Sequence, residues 1–156
     1  MNMNNYVEVF NDMIHDRNFW EINNYESFLE SAYSHKEKYM LTEYTVDDLK
    51  NMNVTTFKFK NYNLGFALKP DDMGRDIILM HNASKLEGLG YMKYVIELAK
   101  SYGGNHVDYY ETDKLKHMWT SAGFKEYERY TFDPQYTHDN FDCEKYGTPD
   151  VVYAKL

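Results

Sequence analysis

The residues best suited to chemistry lie in one short segment, Lys85-Leu86-Glu87-Gly88-Leu89-Gly90. A run of strand character, Asp76 to His81, and the bridge Asn82-Ala83-Ser84 lead into it, and helical spacing begins at Tyr91. Strand, glycine-containing turn and helix together suit an anion. Glycines let the backbone approach a phosphate without a Cβ in the way, while the first free N–H groups and the positive end of the helix dipole face the charge. Lys85 adds a cation; Glu87 suits the dipole but repels a diphosphate. The same turn could also close strand to helix for backbone freedom alone, so its placement matters more than its two glycines. Cys143 sits in a polar loop without a paired histidine motif and reads as an idle thiol.

The elements that must position this segment change character near residue 54. Before it the spacing is helical: Tyr6, Val9, Phe10, Met13 and Ile14 recur at i, i+3, i+4, i+7 and i+8, and Tyr25, Phe28, Leu29, Ala32 and Tyr33 repeat the pattern. Thr45-Val46-Asp47-Asp48 places a hydroxyl at a helix start and a carboxylate three residues on, the pattern of a capping box. From Val54 the runs shorten to strand length: Thr55 to Lys60, Leu64 to Lys69 and Asp76 to His81, separated by turn compositions and read as an antiparallel meander. A helix from Tyr91 to Ser101 ends at Gly103-Gly104, and a strand follows at His106 to Tyr110. Lys114 to Ser121 reads as a helix stopped by Gly123, Phe124 to Asp133 and Val151 to Lys155 as strands, and 134–149 as an aromatic-studded loop.

The fold class expected is α/β (α+β), with a mixed, largely antiparallel central sheet of about six to seven strands flanked by helices. One domain over 1–156 is expected, mainly helical through residue 53 and sheet-rich beyond. With 25 acidic against 17 basic residues the net charge is −8, which excludes a phosphate-backbone binder and points to a basic partner or substrate rather than nucleic acid. The single cysteine excludes an internal disulfide, no Cys/His cluster suggests a metal, and the setting reads as reducing and cytoplasmic. No apolar run approaches the ~20 residues that span a bilayer, so no membrane is expected, while a homodimer is left open.

In its order of elements from Val54 to Asp133, about half of the chain, the sequence resembles the GNAT superfamily of acyl-CoA N-acyltransferases. Lys85 to Gly90 is similar to that family's pyrophosphate loop, Arg/Gln-x-x-Gly-x-Gly/Ala, with Lys85 at the position of the usual Arg or Gln. The ending Ala122-Gly123-Phe124 looks like its second signature, a helix closing on a Gly-Phe turn. The resemblance implies acetyl-CoA, or another acyl-CoA, as co-substrate, lying in a V-shaped gap between the strand ending near His81 and the strand His106 to Tyr110. Its pantetheine arm would pair with backbone from Leu79, Met80 and His81 to Asn82, and its diphosphate would rest on N–H groups of Leu86, Glu87, Gly88, Leu89, Gly90 and Tyr91 beside Lys85.

An amine would then attack the thioester directly, which leaves the protein to position, to deprotonate the ammonium and to reprotonate the thiolate. With this acidic chain, a cationic amine is the acceptor expected, a small molecule or a protein amine. The family often carries a Tyr four residues before the Gly as general acid; this chain has Trp119 there, whose indole N–H does not give up a proton near neutrality. His117 and Tyr110 are the candidate replacements, and Glu111, Asp108 and His81 the candidate bases. The rival reading is an inactive GNAT-like binding or inhibitor protein that engages a partner through its acidic surface. If Lys85 to Gly90 is the cofactor loop, Gly88→Glu abolishes acyl-CoA binding with the circular-dichroism spectrum unchanged; undiminished affinity would remove the assignment.

Overall fold

The computed structural model describes residues 3–34, 37–84 and 90–156, and side chains from residue 9 onward. Alternation along two central strands sets the layers. In β2 (Thr55–Phe59) and β3 (Leu64–Asp71), Phe57, Phe59, Leu64, Phe66 and Leu68 enter one core, while Ala67 enters another on the opposite face. Phe57 and Phe66 are register partners, and their rings stack 4.7 Å apart.

Among the described residues, seven strands form one mixed sheet in the order β1-β2-β3-β4-β5-β7-β6. The outer members are β1 (Trp20–Ile22) at one edge and β6 (Lys125–Tyr130) at the other, with β7 (Val151–Lys155) inserted between β6 and β5 (Gly104–Tyr110). Every pairing is antiparallel except that of β4 (Gly74–Asn82) with β5. The crossover between those two carries α4 (Met92–Ser101), as a parallel pair requires. On one face α1 (Met3–Ile14), α4 and α5 (Asp113–Ser121) bury Phe10, Ile14, Val95, Ile96 and Trp119 against the sheet. On the other, α2 (Tyr25–Tyr33) and α3 (Val46–Asn51) bury Phe28, Leu29 and Leu49 against Val54, Ala67 and Ile78. A short α6 (Cys143–Tyr146) interrupts the expected 134–149 loop.

The mixed, largely antiparallel sheet matches the expected class. Thr45 caps α3 as its sequence implies: its hydroxyl accepts from the Asp48 N–H at 3.1 Å, and the Asp48 carboxylate accepts from the Thr45 N–H at 2.8 Å. One element was not expected, and one expected boundary moves. Strand β1, within the first 53 residues, pairs with β2, and three residues are too few to display a strand period. Trp20 fixes that strand: its Nε1–H donates to the Ile14 carbonyl at 2.8 Å and its ring meets Phe59 edge-on at 5.1 Å. The strand expected from Phe124 begins at Lys125, since Phe124 itself is buried under Trp119, ring centroids 5.3 Å apart. Among the described residues no helix is long and apolar enough to cross a membrane.

Phe59 is fully buried and touches the rings of Phe10, Phe19, Trp20 and Tyr62. Phe59→Ala is therefore expected to cost about 3–5 kcal/mol in urea unfolding, without loss of the far-ultraviolet strand signal.

Candidate functional site

The β4–β5 ladder has two rungs, Arg75↔Gly104 and Asp76↔His106, and stops there. Beyond them β4 continues to Asn82 with its other edge on β3, and β5 to Tyr110 with its other edge on β7. Among the described residues no register pair joins the facing edges, so backbone N–H and C=O groups line both sides of a wedge and call for partners. A bulge shapes the β4 wall. Gly65 faces His81 and Ala67 faces Ile78, so Leu79 and Met80 together oppose Phe66. Leu79 takes a left-handed φ of 52°, and Ile78 and Leu79 both turn to the α2 side. This is the gap that the resemblance implied. The mixed sheet with its parted β4–β5 pair is the architecture that the resemblance led one to expect.

Of the segment that opens the helix, Lys85, Leu86, Glu87, Gly88 and Leu89 lie outside the described residues. Gly90 has φ +81°, a conformation that side-chain-bearing residues rarely adopt, and a Cβ there would meet nothing within 4 Å. Tyr91 precedes α4 and provides no side-chain cap, and no acidic residue occupies the helix's first turn. The Tyr91 ring is buried and stacks on Phe10 at 4.1 Å, which fixes where α4 starts. At the exit of β4, Asn82 Oδ1 accepts from the Ser84 N–H at 3.2 Å and turns the chain.

The other sequence-named residues fall in separate places. Met80 packs on the α4-side core. His81 is 3% exposed and lies on the α2 face, edge-on to Phe28 at 5.5 Å. Its Nδ1 is 2.8 Å from the Leu79 carbonyl, which can only accept, so Nδ1 carries the proton; Nε2 is 2.8 Å from the Ser31 hydroxyl. The ring thus braces the bulge against α2. Arg129 bonds both oxygens of Glu111 as well as Glu126 and Asp150, and this pairing holds the Glu111 carboxyl below the ordinary range. Tyr110, half-buried at the end of β5, has its ring 5.0 Å from Phe141, and His117 is exposed on α5. Trp119, 3% exposed, belongs to the core. His81, Glu111, Tyr110 and His117 do not converge on one point.

Sequence reading named Asp108 but missed its neighbours Asp76 and His106 at the narrow end of the wedge. The Asp76↔His106 rung places both side chains on one face, and Asp108 stands two residues further along β5. Asp76 is 7% exposed, its Oδ1 has no hydrogen-bond partner among the described residues, and its Oδ2 is 3.7 Å from Lys69 Nζ. Burial and then the Asp108 carboxylate push the Asp76 carboxyl up to about 6. Asp108 is raised as well, by crowding from the protein around it, although its surface stays open to solvent. Tyr44 is pushed up to about 12, by burial and then by Asp108 and Asp76. The signal in the sequence was an acid on one alternating strand and a histidine and an acid on another, and bringing them together needs the register.

No family model matches the sequence, and no curated protein does. Solved structures do match. A probable acetyltransferase from Staphylococcus epidermidis ATCC 12228 shares 16% identity over 88% of this chain and 98% of its own, with a TM-score of 0.49. The N-acetylglutamate synthase from Neisseria gonorrhoeae, complexed with coenzyme A and L-arginine, shares 13% identity over 88% of this chain and 33% of its own, with a TM-score of 0.47. The microcin C7 self immunity acetyltransferase MccE, in complex with acetyl-CoA and AMP, shares 11% over 97% of this chain and 87% of its own, with a TM-score of 0.46. The chain thus spans about a third of the Neisseria synthase.

A carboxyl raised from 3.8 to about 6 in the folded state binds its proton more tightly there than in the unfolded chain. The stability this lends is complete below about pH 4 and is lost as pH rises through 6, a difference of about 3 kcal/mol. Asp76→Asn, which mimics the protonated acid, is accordingly expected to raise Tm at pH 7 and to leave it unchanged at pH 3.5. A pH-independent difference between the two proteins would contradict the assignment.

Proposed function

We propose that this chain is an N-acyltransferase that moves an acyl group, acetyl first among candidates, from acyl-CoA to an amine acceptor. The observation that carries the reading is the parting of β4 from β5 after two rungs beside the Leu79 bulge. A pantetheine arm is extended and bears two amides, and so suits an opening lined by unpaired backbone groups along 79–82. Lys85 and the N–H groups of Leu86 to Tyr91 would take the diphosphate, at the start of a helix that no described side chain caps.

In the reaction the free amine attacks the thioester carbonyl carbon. The C–N bond forms, the C–S bond breaks, the ammonium proton passes to a base and the thiolate receives one. Among the sequence-named residues, Tyr110 best fits the proton donor to sulfur, as an ionisable hydroxyl at the end of the β5 wall. Asp108, on the same strand and face, would hold the acceptor ammonium by charge. We assign His81 to bracing the bulge and Glu111 to its ion pair with Arg129, in place of general-base roles. The acidic chain favours a cationic acceptor. Trp119 in the core, where the resemblance would place an acid, is the observation that favours the rival reading of a fold without chemistry.

Calorimetric titration with acetyl-CoA, desulfo-coenzyme A and adenosine separates the two. Saturable micromolar binding of acetyl-CoA, with adenosine far weaker, is expected, and Tyr110→Phe should lower kcat at least tenfold with acetyl-CoA affinity retained. Absence of acetyl-CoA binding would discard the acyltransferase reading.

A further inference from the structure

At the end of β4 remote from Asn82, three side chains from three strands meet. Single ligand atoms of Asp71, Asp76 and His106 lie within 4.8 Å of one another. The hydrogen bonds around His106 constrain what can sit between them. The Asn105 amide is fixed from two sides: its Nδ2–H donates to the Met73 carbonyl at 2.8 Å, and its Oδ1 accepts from the Arg75 N–H at 3.1 Å. Oδ1 is therefore the atom 2.7 Å from His106 Nδ1, so Nδ1 carries a proton. The other nitrogen, Nε2, stands 2.7 Å from the Asp71 carboxylate. In a neutral ring, Nε2 would turn a lone pair on an anion. A positive centre is required, either a proton at that point or a cation that both atoms would bind after parting to about 3.3 Å.

Asp76 decides between them. A proton on Nε2 satisfies Asp71 and leaves the Asp76 Oδ1, in a residue 7% exposed, without a partner among the described residues. Lys69 approaches the other Asp76 oxygen only to 3.7 Å and offsets one of the three carboxylate charges of Asp71, Asp76 and Asp108. A divalent ion would use the Nε2 lone pair and one oxygen from each of Asp71 and Asp76, and would meet all three demands together.

We infer that Asp71, Asp76 and His106 form a binding site for a divalent metal ion. One imidazole with two carboxylates suits Zn2+ or Mn2+ better than the all-oxygen preference of Ca2+ or Mg2+. The site departs from the sequence expectation of no metal, because its ligands come from the last residue of β3, from β4 and from β5 and share no local spacing. An ion there ties the turn after β3 to the first rungs of the β4–β5 ladder and clamps the wedge at its vertex. The inference does not rest on the acyltransferase reading.

The test uses the full chain stripped with EDTA and titrated with Zn2+, Mn2+, Mg2+ and methylammonium, followed by calorimetry and thermal unfolding. One equivalent of Zn2+ or Mn2+ is expected to bind and to raise Tm by several degrees, with Mg2+ much weaker. Asp76→Asn and His106→Gln should each weaken that affinity at least tenfold, and Zn2+ should move the 15N resonance of His106 Nε2 in the parent protein. Three results would overturn the site: no saturation below millimolar metal, equal affinity in both variants with an unmoved Nε2 resonance, or methylammonium stabilising as strongly as Zn2+.

Discussion

Two parallel strands joined by only two rungs impose the constraint on which the rest of this molecule depends. A sheet is stabilised by completing its ladders, and unsatisfied backbone groups away from water are costly. Here β4 and β5 abandon each other after Asp76↔His106, while each keeps a complete antiparallel partner on its other edge. The antiparallel pairs β3–β4 and β5–β7 act as two stiff walls. The cores on either face hold those walls apart, and the opening stays lined with groups able to bond an extended ligand.

The bulge is the local device that keeps the β4 wall from straightening. A leucine at φ 52° is strained, and such strain persists only where surroundings over-determine it. Three contacts do so: the buried Leu79 side chain in the α2-side core, the His81 ring returning to the Leu79 carbonyl, and Ser31 on α2 holding the ring's far nitrogen. Gly65, opposite His81, is required for the same packing, since a Cβ there would lie 2.4 Å from the Phe57 carbonyl oxygen and 3.3 Å from the imidazole. A histidine that sequence alone offers as a base thus reads, in place, as a strut.

Periodicity made most of the fold legible, because long elements with one buried face repeat their pattern: α2, α4, β2 and β3 lie where their spacing puts them. Three things were illegible for separate reasons. Strand β1 is too short to show a period and is fixed by Trp20 contacts that only tertiary structure supplies. The bulge has no residue signature, since leucine is an unexpected occupant of the left-handed region. The cluster of Asp71, Asp76 and His106 depends on strand register and on a hairpin turn, and its members stand up to 35 residues apart in the chain. The Ala122-Gly123-Phe124 turn was legible, and what it implied for Trp119 was not: the indole fills the core against Phe124.

The wedge divides labour between its ends. Among the described residues, its wide end offers backbone groups of β4 and β5 that no register pair joins. Its narrow end concentrates carboxylates, of which Asp76 is raised by burial and then by Asp108, and Asp108 by burial, at a cost to stability near neutral pH. That cost is hard to explain by folding alone, because an asparagine at Asp76 would fill the same space without charge. Carboxylates kept at the vertex of a ligand gap, beside an imidazole turned toward an anion, are better explained by a cation that they hold.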